Sequence, residues 1–178
     1  MAQATFQGPV RSLSGFISQG PNAVAAVSTA TATIDVANYA GKIINVTAAT
    51  TTITLPAVNA TANPTSSGPG QDPNTLNNLG ATYTFFIATT ATTVKIITGA
   101  GDFLLGQIVV GVDAGATAGS VVMYAANGTS TRSVNFNGTT TGGIKGSFVT
   151  ITATAANTYM VYGKAIGSGT LATPFATS

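Results

Sequence analysis

The stretch Gly41–Pro56 constrains the fold more than any other, because apolar and polar residues alternate along two short runs within it. Ile44 and Val46 share one face of the first run. Ile53 and Leu55 share one face of the second run. A period of two predicts half-buried β-strands, and the β-branched residues that fill both runs suit a pleated surface. We therefore expect two strands joined by a short turn, as a β-hairpin.

The composition is that of an all-β protein with a weakly charged surface. Its 178 residues suit one domain. Only 6 % of the residues are charged, against about 25 % in typical globular proteins. Glu is absent and Leu and Lys are scarce, whereas Thr, Val and Ile are plentiful. Low charge weakens the electrostatic repulsion between molecules and promotes association. Such a chain therefore suits a fixed assembly better than a crowded solution.

Further alternating runs follow to the end of the chain. They predict about nine or ten short strands, and hence an all-β fold, a β-sandwich or jelly-roll-like domain. Thr82–Thr89 is expected to pair with Thr93–Thr98, and Ser147–Ala153 with Thr158–Gly163. Asn-Gly at Asn127 indicates another hairpin. The predicted core consists of Ile44, Val46, Ile53, Leu55, Phe85, Ile87, Val94, Ile96, Phe136, Val149, Ile151 and Val161.

Two details of these strands bear on the packing. In Thr82–Thr89, Tyr83, Phe85 and Ile87 share one face, and Phe86 points the other way, so we expect this strand to be covered on both sides. The segments TTTITL and TTVKII resemble each other. In a chain so rich in Thr, we interpret this likeness as an effect of composition, not as an internal repeat.

The sandwich is predicted to occupy residues 23–165, between an N-terminal arm at 1–22 and a C-terminal tail at 166–178. It carries a long Pro- and Gly-rich loop at 57–80, for which we expect an exposed or inter-subunit position. The arm lacks periodicity, yet it contains large apolar residues that disordered tails avoid. The alternatives for the arm are a frayed terminus, docking on another chain, or folding back on its own sandwich. The candidate contact residues are Phe6, Pro9, Val10, Arg11, Leu13, Phe16 and Ile17.

The inventory of chemically active residues excludes most enzyme classes. Without His, Cys or Glu, neither a usual catalytic triad nor a typical zinc site can be assembled. The four aspartates, Asp35, Asp72, Asp102 and Asp113, are interpreted as turn or cap residues. No Walker sequence follows the Gly-rich stretches. We therefore expect no enzymatic activity, no cofactor and no metal.

The same inventory bounds the partners and the location. The six basic residues are scattered, whereas nucleic-acid binding needs a clustered basic face. No stretch is apolar enough for a membrane span, and the N-terminus lacks the pattern of a secretory signal. We expect a protein that is made in the cytoplasm and binds neither nucleic acid nor membrane.

One set of residues also carries a resemblance to a known class of proteins. The order G-K-x-I-x-V-x-A, T-I-T-L-P-A, Y-x-F-x-I, V-x-I and G-D before a Gly resembles virion structural proteins of tailed bacteriophages, especially small capsid decoration (cement) proteins. The opening F-x-G-P-V-R-S at Phe6–Ser12, with Gly15-Phe16, is similar to the start of such proteins. The matching positions are Gly41, Lys42, Ile44, Val46, Ala48, Thr52–Ala57, Tyr83, Phe85, Ile87, Val94, Ile96, Gly101-Asp102 and Gly106.

This resemblance implies a function and a partner. The chain would bind the outer surface of a phage head, made by a shell of major capsid protein, and would stabilise it as a homotrimer. Its location would be the virion. The alternative is a fibre- or adhesin-type domain that recognises a glycan on the host surface. The five tyrosines fall mostly in predicted strands and Trp is absent, which disfavours a glycan site built on loops.

Overall fold

A computed structural model describes residues 24–62, 73–112 and 119–178 of the chain. Nearly every element in these ranges is a strand. One short helix, α1 (Val36–Tyr39), begins after the N-cap residue Asp35, whose carboxylate accepts a 2.8 Å hydrogen bond from the Asn38 amide. The strands are β1 (Val24–Val27), β2 (Thr31–Thr33), β3 (Ile43–Val46), β4 (Thr50–Thr54), β5 (Thr82–Ile87), β6 (Thr93–Ile97), β7 (Phe103–Val112), β8 (Val121–Asn127), β9 (Ser133–Phe136), β10 (Phe148–Ala155), β11 (Thr158–Gly167) and β12 (Phe175–Ala176).

The strands form two sheets that enclose one core, which confirms the predicted all-β sandwich. The larger sheet has seven strands in the order β1-β3-β5-β10-β11-β7-β8. The smaller sheet has five in the order β12-β9-β6-β4-β2. The C-terminal residues contribute to the smaller sheet through β12, where Phe175 pairs with Val134.

The first six strands alternate between the two sheets. Strands β1, β3 and β5 are parallel neighbours in the larger sheet, and β2, β4 and β6 are parallel neighbours in the smaller one. The hairpin expected in Gly41–Pro56 is therefore wrong, because β3 and β4 lie in opposite sheets. The pairing expected between Thr82–Thr89 and Thr93–Thr98 is wrong for the same reason. This half of the molecule departs from the antiparallel connectivity usual in sandwiches.

The two similar segments TTTITL and TTVKII become neighbours in this arrangement. Strand β4 pairs in parallel with β6, with Thr50 opposite Thr93 and Ile53 opposite Ile96. This register is one residue out of step with the sequence likeness, in which Thr50 matches Thr92 and Ile53 matches Lys95. The pairing therefore does not indicate an internal repeat. Ile53 and Ile96 are buried in the same core.

In the second half of the chain, one predicted hairpin is correct and another is wrong. Strands β10 and β11 form the expected antiparallel hairpin, in which Ile151 lies opposite Val161. Asn127 and Gly128, in contrast, lead from β8 in the larger sheet to β9 in the smaller one. The Asn127 side chain closes this crossing, because its Oδ1 atom accepts backbone hydrogen bonds from residues 129, 130 and 131 at 3.0, 2.9 and 3.1 Å.

All twelve residues predicted for the core are buried. The exposed fraction is 0 % for Phe85 and 2 % for Leu55, the most exposed of the twelve. Phe86 departs from expectation, since its side chain is 36 % exposed on the outer face of the larger sheet. In the described part of the chain no further layer covers that face.

Candidate functional site

The seven candidate residues of the arm, Phe6 to Ile17, lie outside the described residues, as does the middle of the long loop. The described ends of that loop, residues 57–62 and 73–80, are held together. Asn59 accepts a hydrogen bond from the Asn78 amide at 3.0 Å, and the Asn59 amide donates to Asn78 Oδ1 at 2.8 Å. A short 3-10 turn, Pro73–Thr75, lies between the undescribed residues and this clasp.

The outer face of the five-stranded sheet is polar. Threonines alternate along β2 and β4, and the register brings their outward side chains into rows. Thr31 lies beside Thr52, which lies beside Lys95. Such hydroxyl rows are readily hydrated, so this face does not need a partner.

The outer face of the seven-stranded sheet carries most of the exposed large apolar side chains. The described residues include ten exposed large hydrophobic residues, and the strand registers place eight of them on this one face. Threonines lie among them, such as Thr84 and Thr150, whose hydroxyl groups are hydrogen-bonded at 3.1 Å. Soluble monomers rarely expose large contiguous apolar patches, and those that do generally use them for interaction. We call this surface the apolar face; its exposed residues are Val24, Ile43, Phe86, Leu105, Val121, Met123, Met160 and Tyr162.

One row of side chains crosses the apolar face from strand to strand. Phe86 lies opposite Phe148, Phe148 opposite Lys164, and Lys164 opposite Val109. Val109 in turn lies opposite Met123. Among the described strand residues of this sheet, Lys164 is the charged one. Its ammonium group stands between apolar neighbours, with no carboxylate in the strands beside it.

Two shallow depressions flank Lys164. The larger, of about 460 Å³, lies between Lys164 and Val121, where Gly111 leaves space for it. The smaller, of about 300 Å³, is bordered by Phe148 and Tyr162. Both are open and mainly apolar, so they fit side chains of another macromolecule better than a small polar substrate.

The buried carboxylate of Asp102 has a structural role. Asp102 is 1 % exposed, and its Oδ2 atom accepts a 2.9 Å hydrogen bond from the Val58 amide. Burial raises the pKa of the Asp102 carboxyl, and the bond from Val58 and the charge of Arg132 offset part of that rise. Arg132 itself donates to the Gly99 carbonyl at 3.1 Å. These contacts fasten the start of the long loop to the core, away from the apolar face.

Two of the five tyrosines are enclosed in the core. Tyr83 and Tyr159 are each 0 % exposed, so neither can stack on an external ligand. Burial, and secondarily the charge of Asp35, raises the pKa of Tyr83 to about 12. Tyr162, by contrast, is 48 % exposed on the apolar face.

Among the residues described, no three His, Cys, Asp or Glu side chains come together in a way that could hold a metal ion. Within the same ranges, no helix has the length and apolar character needed to cross a membrane.

Sequence reasoning did not single out the apolar face. Its signal was present, since Phe86 interrupts an alternating strand and TYMVYG carries large residues at successive positions. Apolar side chains on both faces of a strand predict that both faces are packed against other layers. In the described part of the chain, the smaller sheet packs against the inner face and no layer packs against the outer one. No family model, curated protein or solved structure matches this chain.

Proposed function

We propose that this chain is a structural virion protein of a tailed bacteriophage, a decoration (cement) protein that binds the outer surface of the head and stabilises it. In this proposal it acts as a homotrimer on a shell of major capsid protein and has no enzymatic activity. The trimer, the shell and the location in the virion come from the sequence resemblance.

The observation that carries the proposal is the concentration of exposed large apolar side chains on one of the two outer faces. The apolar face would lie against a larger body. The outer face of the five-stranded sheet, which exposes no large hydrophobic residue among those described, would face water. Removing apolar surface from water favours binding by about 25 cal/mol per Å², from which the entropy and desolvation costs of association are subtracted.

Lys164 defines the chemistry of the proposed partner surface. A lysine buried between Phe148 and Val109 without a counter-charge would oppose binding, because desolvating an ammonium group is costly. The complementary surface is therefore apolar with a carboxylate at the position of Lys164. This requirement makes the contact selective, since an apolar surface without an acidic group would bind less well.

The N-terminal arm adds a second contact in this proposal. Its candidate residues are large and apolar, and each contributes about 1.5–3 kcal/mol when fully buried. Arg11 would provide a charged hydrogen bond to a partner carboxylate. The arm precedes β1, an edge strand of the sheet that carries the apolar face. Arm and face would then contact the same partner.

A binding experiment with purified heads tests the proposal. Tyr162→Glu places a negative charge on the apolar face, so we expect its affinity for heads lacking the native protein to fall at least tenfold. Thr52→Glu introduces the same charge on the threonine-covered face and is expected to bind as the unmodified chain does. Equal binding by both variants would remove the apolar face from the proposal.

Removing residues 1–17 tests the arm separately. An unchanged melting temperature with lost head binding supports an attachment arm, whereas unfolding or aggregation assigns these residues to the core or oligomer of the chain itself. If the full-length chain binds no head but binds a glycan array, the alternative function as an adhesin domain replaces the one proposed.

A further inference from the structure

The last strand of the larger sheet, β8, has one edge with which no described strand pairs. Strand β8 runs from Val121 to Asn127 and pairs on its other side with β7. Val121 and Met123, at 72 % and 60 %, are the most exposed large hydrophobic residues among those described. Strand β12 of the smaller sheet comes close to β8 but does not pair with it.

The ladder to β7 determines which backbone groups point to that open edge. The Val112 amide donates to the Ser120 carbonyl at 2.8 Å, and the Gly128 amide donates to the Leu104 carbonyl at 2.8 Å. Because bonded positions alternate in an antiparallel pair, residues 122, 124 and 126 direct their backbone groups to β7. The N–H and C=O groups of Val121, Met123 and Ala125 therefore point away from the sheet.

Within its described residues, strand β8 also lacks the charges, Pro and bulges that normally protect a sheet edge. Natural edge strands carry charges, Pro, bulges or a covering segment that block pairing with another chain. VVMYAAN contains neither a charge nor a Pro, and its register with β7 is continuous from residue 121 to residue 127. At the end of the strand, the Asn127 amide is already used, since it donates to Thr131 Oγ1 at 3.3 Å.

We infer that β8 is a self-association edge that pairs antiparallel with β8 of a second copy of this chain, with Met123 at the twofold axis. In that register Met123 faces Met123 of the other copy and Val121 faces Ala125, so every outward backbone donor meets an acceptor. The apolar side chains of Val121 and Met123 then continue the apolar face of one copy into that of the other. No like charges meet along the strand.

This inference goes beyond the proposed function, because it concerns a contact between free copies and needs no shell. It is also distinct from the trimer that the resemblance implies, since a threefold trimer contains no twofold axis. Pairing through β8 gives a dimer of the free chain or joins trimers in pairs. The contact involves one strand per copy, below the standard size of stable interfaces, about 1,600 Å², so we expect affinity in the micromolar range.

Sedimentation of the full chain without phage particles tests the pairing. We expect a concentration-dependent species of twice the 17.6 kDa chain mass, or of six times that mass where trimers form. Met123→Lys places a charge on the edge and is expected to abolish the twofold step. Met160→Lys makes the same change on the same face within a central strand and is expected to leave it unchanged. Equal loss in both variants would indicate general packing of apolar faces and would overturn the inference.

Two further variants keep the test independent of apolar packing and of folding. Ala125→Pro removes one outward N–H group without touching the ladder to β7, a position where edge strands tolerate Pro, and should also abolish the twofold step. Because the chain has no Cys, Met123→Cys gives a single thiol that should form a disulfide-linked dimer on oxidation, whereas Met160→Cys should not. A wild-type chain that stays monomeric or purely trimeric, with no excess cross-linking of Met123→Cys, would refute pairing through β8.

Discussion

The phenol group of Tyr159 donates a 2.7 Å hydrogen bond to the carbonyl oxygen of Pro56, which ties β11 to the start of the long loop. Tyr159 is fully buried. Tyr159→Phe would leave that carbonyl without its donor, and an unsatisfied buried polar group costs about 1–3 kcal/mol. We expect the free energy of unfolding, measured in urea, to fall by that amount.

Tyr83→Phe is the matched control for this change. Tyr83 is equally buried, but its hydroxyl group has no hydrogen-bond partner among the described residues. Removing that hydroxyl should therefore leave the free energy of unfolding unchanged or raise it slightly. If both variants lose the same stability, the bond to Pro56 is not what distinguishes Tyr159.

The two buried tyrosines predict a loss of stability in alkali. Burial raises the pKa of Tyr83 to about 12, and burial, with the charges of Tyr83 and Asp102, raises that of Tyr159 further. An unfolded tyrosine has a pKa of about 10, so above that pH the unfolded chain releases protons that the folded chain retains. The free energy of unfolding should therefore be unaffected below about pH 10 and fall above it, by about 1.4 kcal/mol per pH unit for each tyrosine.

A variant separates the tyrosines from the other groups that titrate in alkali. Tyr83→Phe should reduce the slope of stability against pH between about pH 10 and 12. Chemical denaturation at a series of pH values compares this variant with the unmodified chain, and identical slopes in the two proteins would contradict the assignment.

Phe85 and Phe86 are adjacent in β5 and have opposite roles. Phe85 is 0 % exposed, and Phe85→Ala should reduce the free energy of unfolding by about 3–5 kcal/mol because it opens a cavity in the core. Phe86 is 36 % exposed on the apolar face, so Phe86→Ala should cost about 1 kcal/mol or less. In the proposed function, the second variant folds normally but binds heads more weakly. Equal destabilisation by both would show that the apolar face is covered within the chain itself.

The side chain of Asn127 replaces a hairpin turn, and a pair of variants tests this role. Asn127→Ala removes the Oδ1 atom that accepts from three backbone amides, so unfolding should become easier by about 1–3 kcal/mol. Asn127→Asp keeps an oxygen in place and loses only the 2.7 Å bond that Nδ2 donates to Ser130. We expect most of the stability to be retained in Asn127→Asp, and thermal unfolding of the two proteins side by side makes the comparison.

The same loop occurs twice in the chain. N-G-T-S-T begins at Asn127 and N-G-T-T-T at Asn137. In both, the Asn Oδ1 atom accepts backbone hydrogen bonds from the residues that follow, and the Gly has a positive φ of 73° or 71°. Asn-Gly at Asn127 predicted a hairpin, but the loop there joins strands of two different sheets. The recurring Thr four residues after the Asn was the signal that each loop is closed by side chains.

The alternation of side chains by itself determined that β3, β4 and β5 are strands and which face of each is buried. Ile44, Ile53 and Phe85 were assigned to the core from a period of two, and all three are buried. This information is local, because successive side chains of any strand point to opposite sides, whatever the strand pairs with. The absence of His, Cys and Glu is likewise read from composition alone.

Only the tertiary structure decided which strands pair and which face stays open. A hairpin and a crossing between sheets share one period, so the sequence of Gly41–Pro56 could not place β3 and β4 in different sheets. Thr50 and Thr93 become neighbours because β4 and β6 pair in the smaller sheet. No local pattern specifies this relationship between distant segments. For Phe86, alternation determined which way the side chain points. Whether that side chain is exposed depends on whether another layer packs against the outer face of the larger sheet, and that layer could come from this chain or from another.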